Sequence, residues 1–84
     1  MRNISFSRHA LGQMRERGAS EEEVEEAISK GERASAKKGR YAYRLNFQYE
    51  RSWGEKWYHV KQVMPIVKEE DDGVIVITVY VFYF

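Results

Sequence analysis

At Gly31 the spacing of apolar residues changes from a period of 3.6 to a period of 2, and this switch constrains the fold more than any other feature. Before it, Val24, Ala27 and Ile28 recur at helical spacing. After it, Tyr41, Tyr43, Leu45, Phe47 and Tyr49 alternate with Ala42, Arg44, Asn46 and Gln48, the pattern of a strand with one buried face. Helices first and strands after is the order of an α+β domain. The chain has 84 residues, which gives one domain, residues 1–84, with an adequate but thin core.

Local signals place the remaining elements. Asn3 to Phe6 reads as a first edge strand. Ser7 is an N-cap for a helix running to about Arg17, and Gly18 is its natural terminator. Ala10, Leu11 and Met14 form the apolar stripe of that helix, while Gly12 inside it costs about 1 kcal/mol relative to Ala. In the second helix Ser20 and Glu23 form a capping box, and Glu21, Glu22 and Glu23 lie where the helix dipole favours negative charge. Lys30 falls in its last turn and Gly31 ends it.

Residues 51–56, RSWGEK, read as a connection after the Tyr41–Tyr49 strand. A strand from Trp57 to about Lys68 carries Tyr58, Val60, Met64 and Ile66 on one face, and Pro65 predicts a sheet edge or a bulge. Residues 69–73, EEDDG, close a hairpin at Asp-Gly. Val74 to Phe84 is almost wholly β-branched or aromatic, which predicts a central strand buried on both faces. The expected order is β-α-α-β-β-β, with two N-terminal helices packed on one face of an antiparallel sheet and the other face partly exposed.

Several function classes drop out. With no cysteine there is no disulfide, no thiolate nucleophile and no cysteine-ligated zinc, and two histidines do not make a His-rich metal site. No P-loop, dinucleotide fingerprint or nucleophile elbow is present. The acidic 69–72 run lacks the spaced oxygen ligands of a calcium loop and reads as a solvated turn. No metal and no cofactor are expected. The N-terminus turns polar at once, without a secretory signal, and the longest apolar run, residues 74–84, is too short to span a bilayer as a helix. A cytoplasmic protein with no membrane partner is the expectation.

The net charge of +1 conceals alternating segments. Residues 1–19 and 33–61 are basic, while 20–32 and 62–84 are acidic. Such a layout can give one anion-attracting face, although alternating charge on a small domain is commonly plain solvated surface.

The residues that could carry chemistry fall in two places. Arg8 and His9 lie in the first turn of the first helix, where free N–H groups form an anion site. A neutral imidazole beside a bound phosphate can act as a general base, and the plainer account is a surface histidine. On the sheet, Arg44 and Gln48 share one face, His59 and Lys61 share one face, and Thr78 and Tyr80 interrupt the apolar run. Aligned on the open side, these groups suit RNA cleavage by its own 2′-hydroxyl: one takes a proton, cations stabilise the phosphorane, and another protonates the leaving oxygen. A solvated sheet face is the ordinary account of the same residues. Among the aromatics, Tyr41, Tyr43, Phe47 and Tyr49 read as core, and Trp53 as the most exposed.

The stretch Phe6-Ser-Arg-His-Ala-Leu-Gly-Gln-Met-Arg-Glu-Arg-Gly-Ala-Ser20, continuing through Glu23-Val24 to Ile28 and Gly31, resembles a family of small prokaryotic proteins known as domain of unknown function 4258. Its pattern is His-Ala, Arg-Met, Arg-Gly-Ile-Ser, then Val. His9 and Arg17 match the characteristic polar residues, Met14 the core residue, Gly18 the turn and Ser20 the cap. Gln13 stands where a basic residue is more usual, which weakens an anion site on the face shared by His9, Gln13 and Arg17; Ala19 stands where Ile is usual. The family is similar to the RelE and BrnT toxins, small α+β proteins that include metal-independent endoribonucleases inhibited by a cognate antitoxin.

The resemblance thus implies a RelE-like fold and an endoribonuclease toxin acting on RNA, including mRNA on the ribosome, with an antitoxin protein as partner. His9, His59 and Tyr80 are then the acid–base candidates, and Arg8, Arg17, Arg44 and Lys61 the phosphate-binding ones. The alternative is a non-catalytic module that holds RNA or a protein through the basic 33–61 segment, with Lys37, Lys38 and Arg40 as contacts. A third reading is an interaction protein with no nucleic-acid ligand. Oligomeric state is open.

Overall fold

The computed structural model describes residues 3–84, so Arg2, one of the basic residues of the 1–19 segment, lies outside the described residues. The elements are β1 (Asn3–Phe6), α1 (Arg8–Arg17), α2 (Glu21–Lys30), β2 (Glu32–Ala36), β3 (Arg40–Trp53), β4 (Lys56–Glu70) and β5 (Gly73–Tyr83), with a short 3₁₀ turn at Lys37–Gly39. All five strands share one sheet in the order β1-β5-β4-β3-β2. The sheet is mixed rather than wholly antiparallel, because β1 pairs parallel to β5. Between them, the two helices carry the chain across one face, from the β1 edge to the β2 edge. On that face α1 lies against β5, and α2 against β3 and β4.

The helices form as their local chemistry dictates. The Ser7 hydroxyl accepts from the Ala10 N–H at 3.0 Å, and Gly18 ends α1 at φ 83°. Ser20 and Glu23 make the reciprocal capping box of α2. Ala10, Met14, Val24 and Ile28 then meet Tyr43, Val63, Val67, Val74, Val76 and Val79 in a single core, with Leu11, Tyr41 and Phe47 packed around it.

The strands depart from expectation in four ways. First, β2 is an additional strand, paired to β3 from Glu32↔Arg44 to Ala36↔Arg40. Second, residues 51–56 are mostly strand, since β3 runs on to Trp53 and a two-residue turn at Gly54-Glu55 returns the chain at Lys56. Third, the β4–β5 turn is Asp71-Asp72, not Asp-Gly, because Gly73 already pairs with Glu70. Gly73 is needed for a different reason: a Cβ there would meet the Asn3 carbonyl of β1. Fourth, β4 turns Val63, Pro65 and Val67 to the helices, so Val60, Met64 and Ile66 lie on the open face. Pro65 sits in an interior strand next to a register shift at Ile66/Val67, the bulge its ring predicts.

β5 is flanked on both sides only over Gly73–Val76, where β1 pairs with it. Beyond that its outer edge has no strand, and Tyr80, Phe82 and Phe84 are exposed rather than buried. Exposure is greater at Trp57, 52%, than at Trp53, 37%, because Trp53 stacks on Tyr83. No helix of the described residues is long and apolar enough to cross a membrane.

Candidate functional site

Where β1 stops, the outer edge of β5 has unpaired backbone groups, and an uncovered edge of this kind invites another chain. Side chains from the start and body of α1 take up those groups. The Ser7 hydroxyl donates to the Ile77 carbonyl at 3.0 Å, and the Ser7 N–H donates to Val76. Two turns further on, the Gln13 side-chain oxygen accepts from the Val79 N–H at 3.2 Å, and Arg17 Nη1 donates to the Val79 carbonyl at 2.8 Å. His9, Gln13 and Arg17 follow one another at four-residue spacing along one side of α1, so the helix covers the edge with a polar row.

That row and the strand beneath it set three of the seven candidate residues along one edge. His9 is exposed in the first turn, with Nε2 3.4 Å from Thr78 Oγ1. The Thr78 hydroxyl also donates to Gln13. The Arg17 guanidinium bends round the strand edge and lies 5.3 Å above the Tyr80 ring, a cation–π contact. Arg8 is exposed one residue before His9.

The other three go elsewhere. Arg44 is on the open face and pairs with Glu32 at 2.9 Å across β2 and β3. His59 lies on the β3–β4 arm, where Nδ1 is 3.3 Å from Glu50 and the ring meets Trp57 edge-on. Lys61 is not on the open face at all. It is 5% exposed on the helix side, where Nζ donates to the Gly18 carbonyl and sits 2.8 Å from Glu23. Partial burial would raise the Glu23 carboxyl, but hydrogen bonds from Lys61 and the Ser20 N–H, with the Lys61 charge, outweigh it and hold the group below its ordinary range. Tyr83 completes this corner by donating to the Arg17 carbonyl at 2.6 Å.

Residues 6–81 match the model of the family described as domain of unknown function (DUF4258). The chain belongs to this family. No curated protein and no solved structure matches the chain. The geometry gives physical roles to the residues that carried the resemblance. Met14 is core, and Ser20 caps α2. Gly18 takes the left-handed turn where a Cβ would meet the Trp53 ring at 2.7 Å and the Tyr83 hydroxyl at 2.8 Å. Arg17 holds the β5 edge. Gln13, which departs from the family's pattern, accepts from a strand N–H, which an arginine cannot do.

Sequence reasoning missed that the His9-Gln13-Arg17 row is an edge cover. The signal was present: a polar row at four-residue spacing on a helix directly following a short strand. Among the described residues, no three of His, Asp and Glu converge where they could hold a metal ion.

Proposed function

We propose that this protein is an RNA-directed, metal-independent endoribonuclease of the toxin type, acting at the β5 edge beside the first turn of α1. The observation that carries the proposal is the exposed His9 imidazole, held beside Thr78, on the same edge as an Arg17 guanidinium that overhangs the Tyr80 ring. In this reading His9 takes the proton of a ribose 2′-hydroxyl, whose oxygen attacks the adjacent phosphorus. Arg17 and Arg8 stabilise the charge that builds on the phosphorane. Tyr80 gives its proton to the departing 5′-oxygen, leaving a 2′,3′-cyclic phosphate and a 5′-hydroxyl. A RelE-like ancestry and a cognate antitoxin belong to the same proposal. The outer edge of β2, at the end of the sheet, offers such a partner unpaired backbone.

The test is inducible expression in a bacterial host of wild type beside His9→Ala, reading growth and mapped RNA 5′ ends. Loss of a general base costs about 10²- to 10⁴-fold in rate, so arrest and new ends should both vanish in a variant that stays folded. Normal growth with no new ends, from soluble folded wild type, overturns the nuclease reading.

A second reading, RNA binding without cleavage, is favoured by Lys37, Lys38 and Arg40. They are clustered at the β2–β3 turn and form no ion pair with another described residue. It predicts a salt-dependent affinity that survives His9→Ala and falls when these cations are removed.

A further inference from the structure

The sheet face away from the helices carries a pattern of which the edge site uses only Tyr80. On β5, Tyr80, Phe82 and Phe84 are 41%, 44% and 55% exposed at alternate positions. A thin-cored domain has reason to bury its aromatics, so three in a row in solvent call for an account. The Tyr80 and Phe82 rings are nearly parallel, 16° apart with centroids 6.4 Å from one another. Consecutive flat faces of this kind are stacking surfaces for bases.

The strands beside β5 place a polar group on every aromatic rung. Tyr80 pairs with Met64, and the β3–β4 register puts Arg44 opposite Met64. Phe82 pairs with Gln62, which pairs with Asn46, and the two amides are joined at 2.8 Å. Phe84 bonds to Val60, which pairs with Gln48. Arg44, Asn46 and Gln48 are all exposed. A row of rings thus runs beside a row of hydrogen-bonding side chains, and Arg44 lines a shallow depression between Glu32 and Gln62. A face that closes on a second copy of the chain would favour continuous apolar area at its centre. Here each rung ends in an exposed polar group suited to base edges or phosphates.

We infer that this face is a stacking platform for the unpaired bases of single-stranded RNA, which enters the edge site past Arg17. The inference rests on the RNA reading above and narrows it, since paired bases are already stacked and cannot lie on the rings. Arg17 links the two regions by reaching from the α1 row to Tyr80.

Anisotropy titrations of the full chain with a fluorescent ten-nucleotide single-stranded RNA, and with a duplex of equal length, test it. The single strand should bind more tightly. Phe82→Ala should weaken it roughly tenfold to hundredfold, leave the salt slope unchanged and leave duplex binding untouched. Phe84→Ala, at the most exposed of the three rings, supplies a second variant, and circular dichroism verifies that both stay folded. Equal affinity for strand and duplex, with no effect of either substitution, overturns the platform and leaves the RNA reading standing. Failure of folded wild type to bind any RNA at low salt overturns both. A dimer in sedimentation that Phe82→Ala dissociates assigns the face to a second copy and overturns the platform.

Discussion

A lysine buried against a sheet needs acceptors for its ammonium group, because no water replaces them there. Lys61 Nζ has the Gly18 carbonyl and the Glu23 carboxylate, and it lies 5.7 Å from the centre of the Tyr49 ring. Glu23 is itself half of a capping box, so one ion pair ties β4 to the α1–α2 junction. Lys61→Ala should cost about 2–3 kcal/mol in urea unfolding at neutral pH, below the range for a fully buried pair because Glu23 can rehydrate. Lys61→Met keeps the stem and should cost less. The Glu23 carboxyl is lowered in the fold, so its contribution is complete above the ordinary carboxyl range. It is lost as pH falls through the lowered value. Unfolding of wild type and Lys61→Met should therefore converge as pH drops from 7 toward about 3; a gap that stays constant would show that the pair does not stabilise the fold.

An element can be read from sequence when its determinants are local. Both helices were legible because Ser7, Gly18, Ser20, Glu23 and the Val24-Ala27-Ile28 stripe all act within a few residues of where they stand. The sidedness of β4 was not. Val60, Met64 and Ile66 on one face and Val63, Pro65 and Val67 on the other are equally apolar, and alternation cannot choose between them. The partners decide it: the Gly18 carbonyl and the Glu23 carboxylate satisfy Lys61 on the helix side, so the face that carries it can be the buried one. β2 was illegible for the opposite reason, since Glu32-Arg33-Ala34-Ser35-Ala36 has no apolar contrast and is strand because β3 extends far enough to pair with it. The candidate site divided in the same way. His9 and Arg17, set by one helix, fell along one edge, whereas His59, Lys61 and Arg44 depended on strand registers that shift at Gln48/Arg51 and Ile66/Val67. The α1 edge cover has its own test. Gln13→Ala removes the acceptor of the Val79 N–H, so amide exchange at Val79 should quicken and stability fall by about 1 kcal/mol. Unchanged exchange at Val79 would remove Gln13 from that role.

At the scale of the molecule, the 41 Å long axis accommodates the long β3–β4 hairpin, and something must join its far half to the helical body. Tyr83 does so. Its ring stacks on Trp53 at 5.0 Å and meets Tyr49 and Tyr58 at 5.3 and 5.6 Å, while its hydroxyl donates to the last carbonyl of α1. Arm and body therefore share one side chain. Burial, then the neighbouring Tyr49 and Glu23, push the Tyr83 phenol up to about 12 against a weaker opposing pull from Arg51. A phenol raised in the fold stabilises below its unfolded value of about 10, and that contribution is lost as pH climbs from there through about 12. The thermal midpoint should accordingly fall between about pH 9 and pH 11.5 as the unfolded chain, but not the folded one, releases this proton. Tyr83→Phe keeps the ring contacts and removes the hydroxyl. It should cost about 1 kcal/mol at neutral pH and flatten the alkaline slope relative to wild type. Tyr83→Ala should do more, separating the melting of the arm from that of the body in site-resolved exchange, because no other side chain joins Trp53 to α1 by both stacking and a hydrogen bond among the described residues. If arm and body still open together in that variant, the coupling runs through the β4–β5 ladder and the Lys61–Glu23 pair rather than through Tyr83.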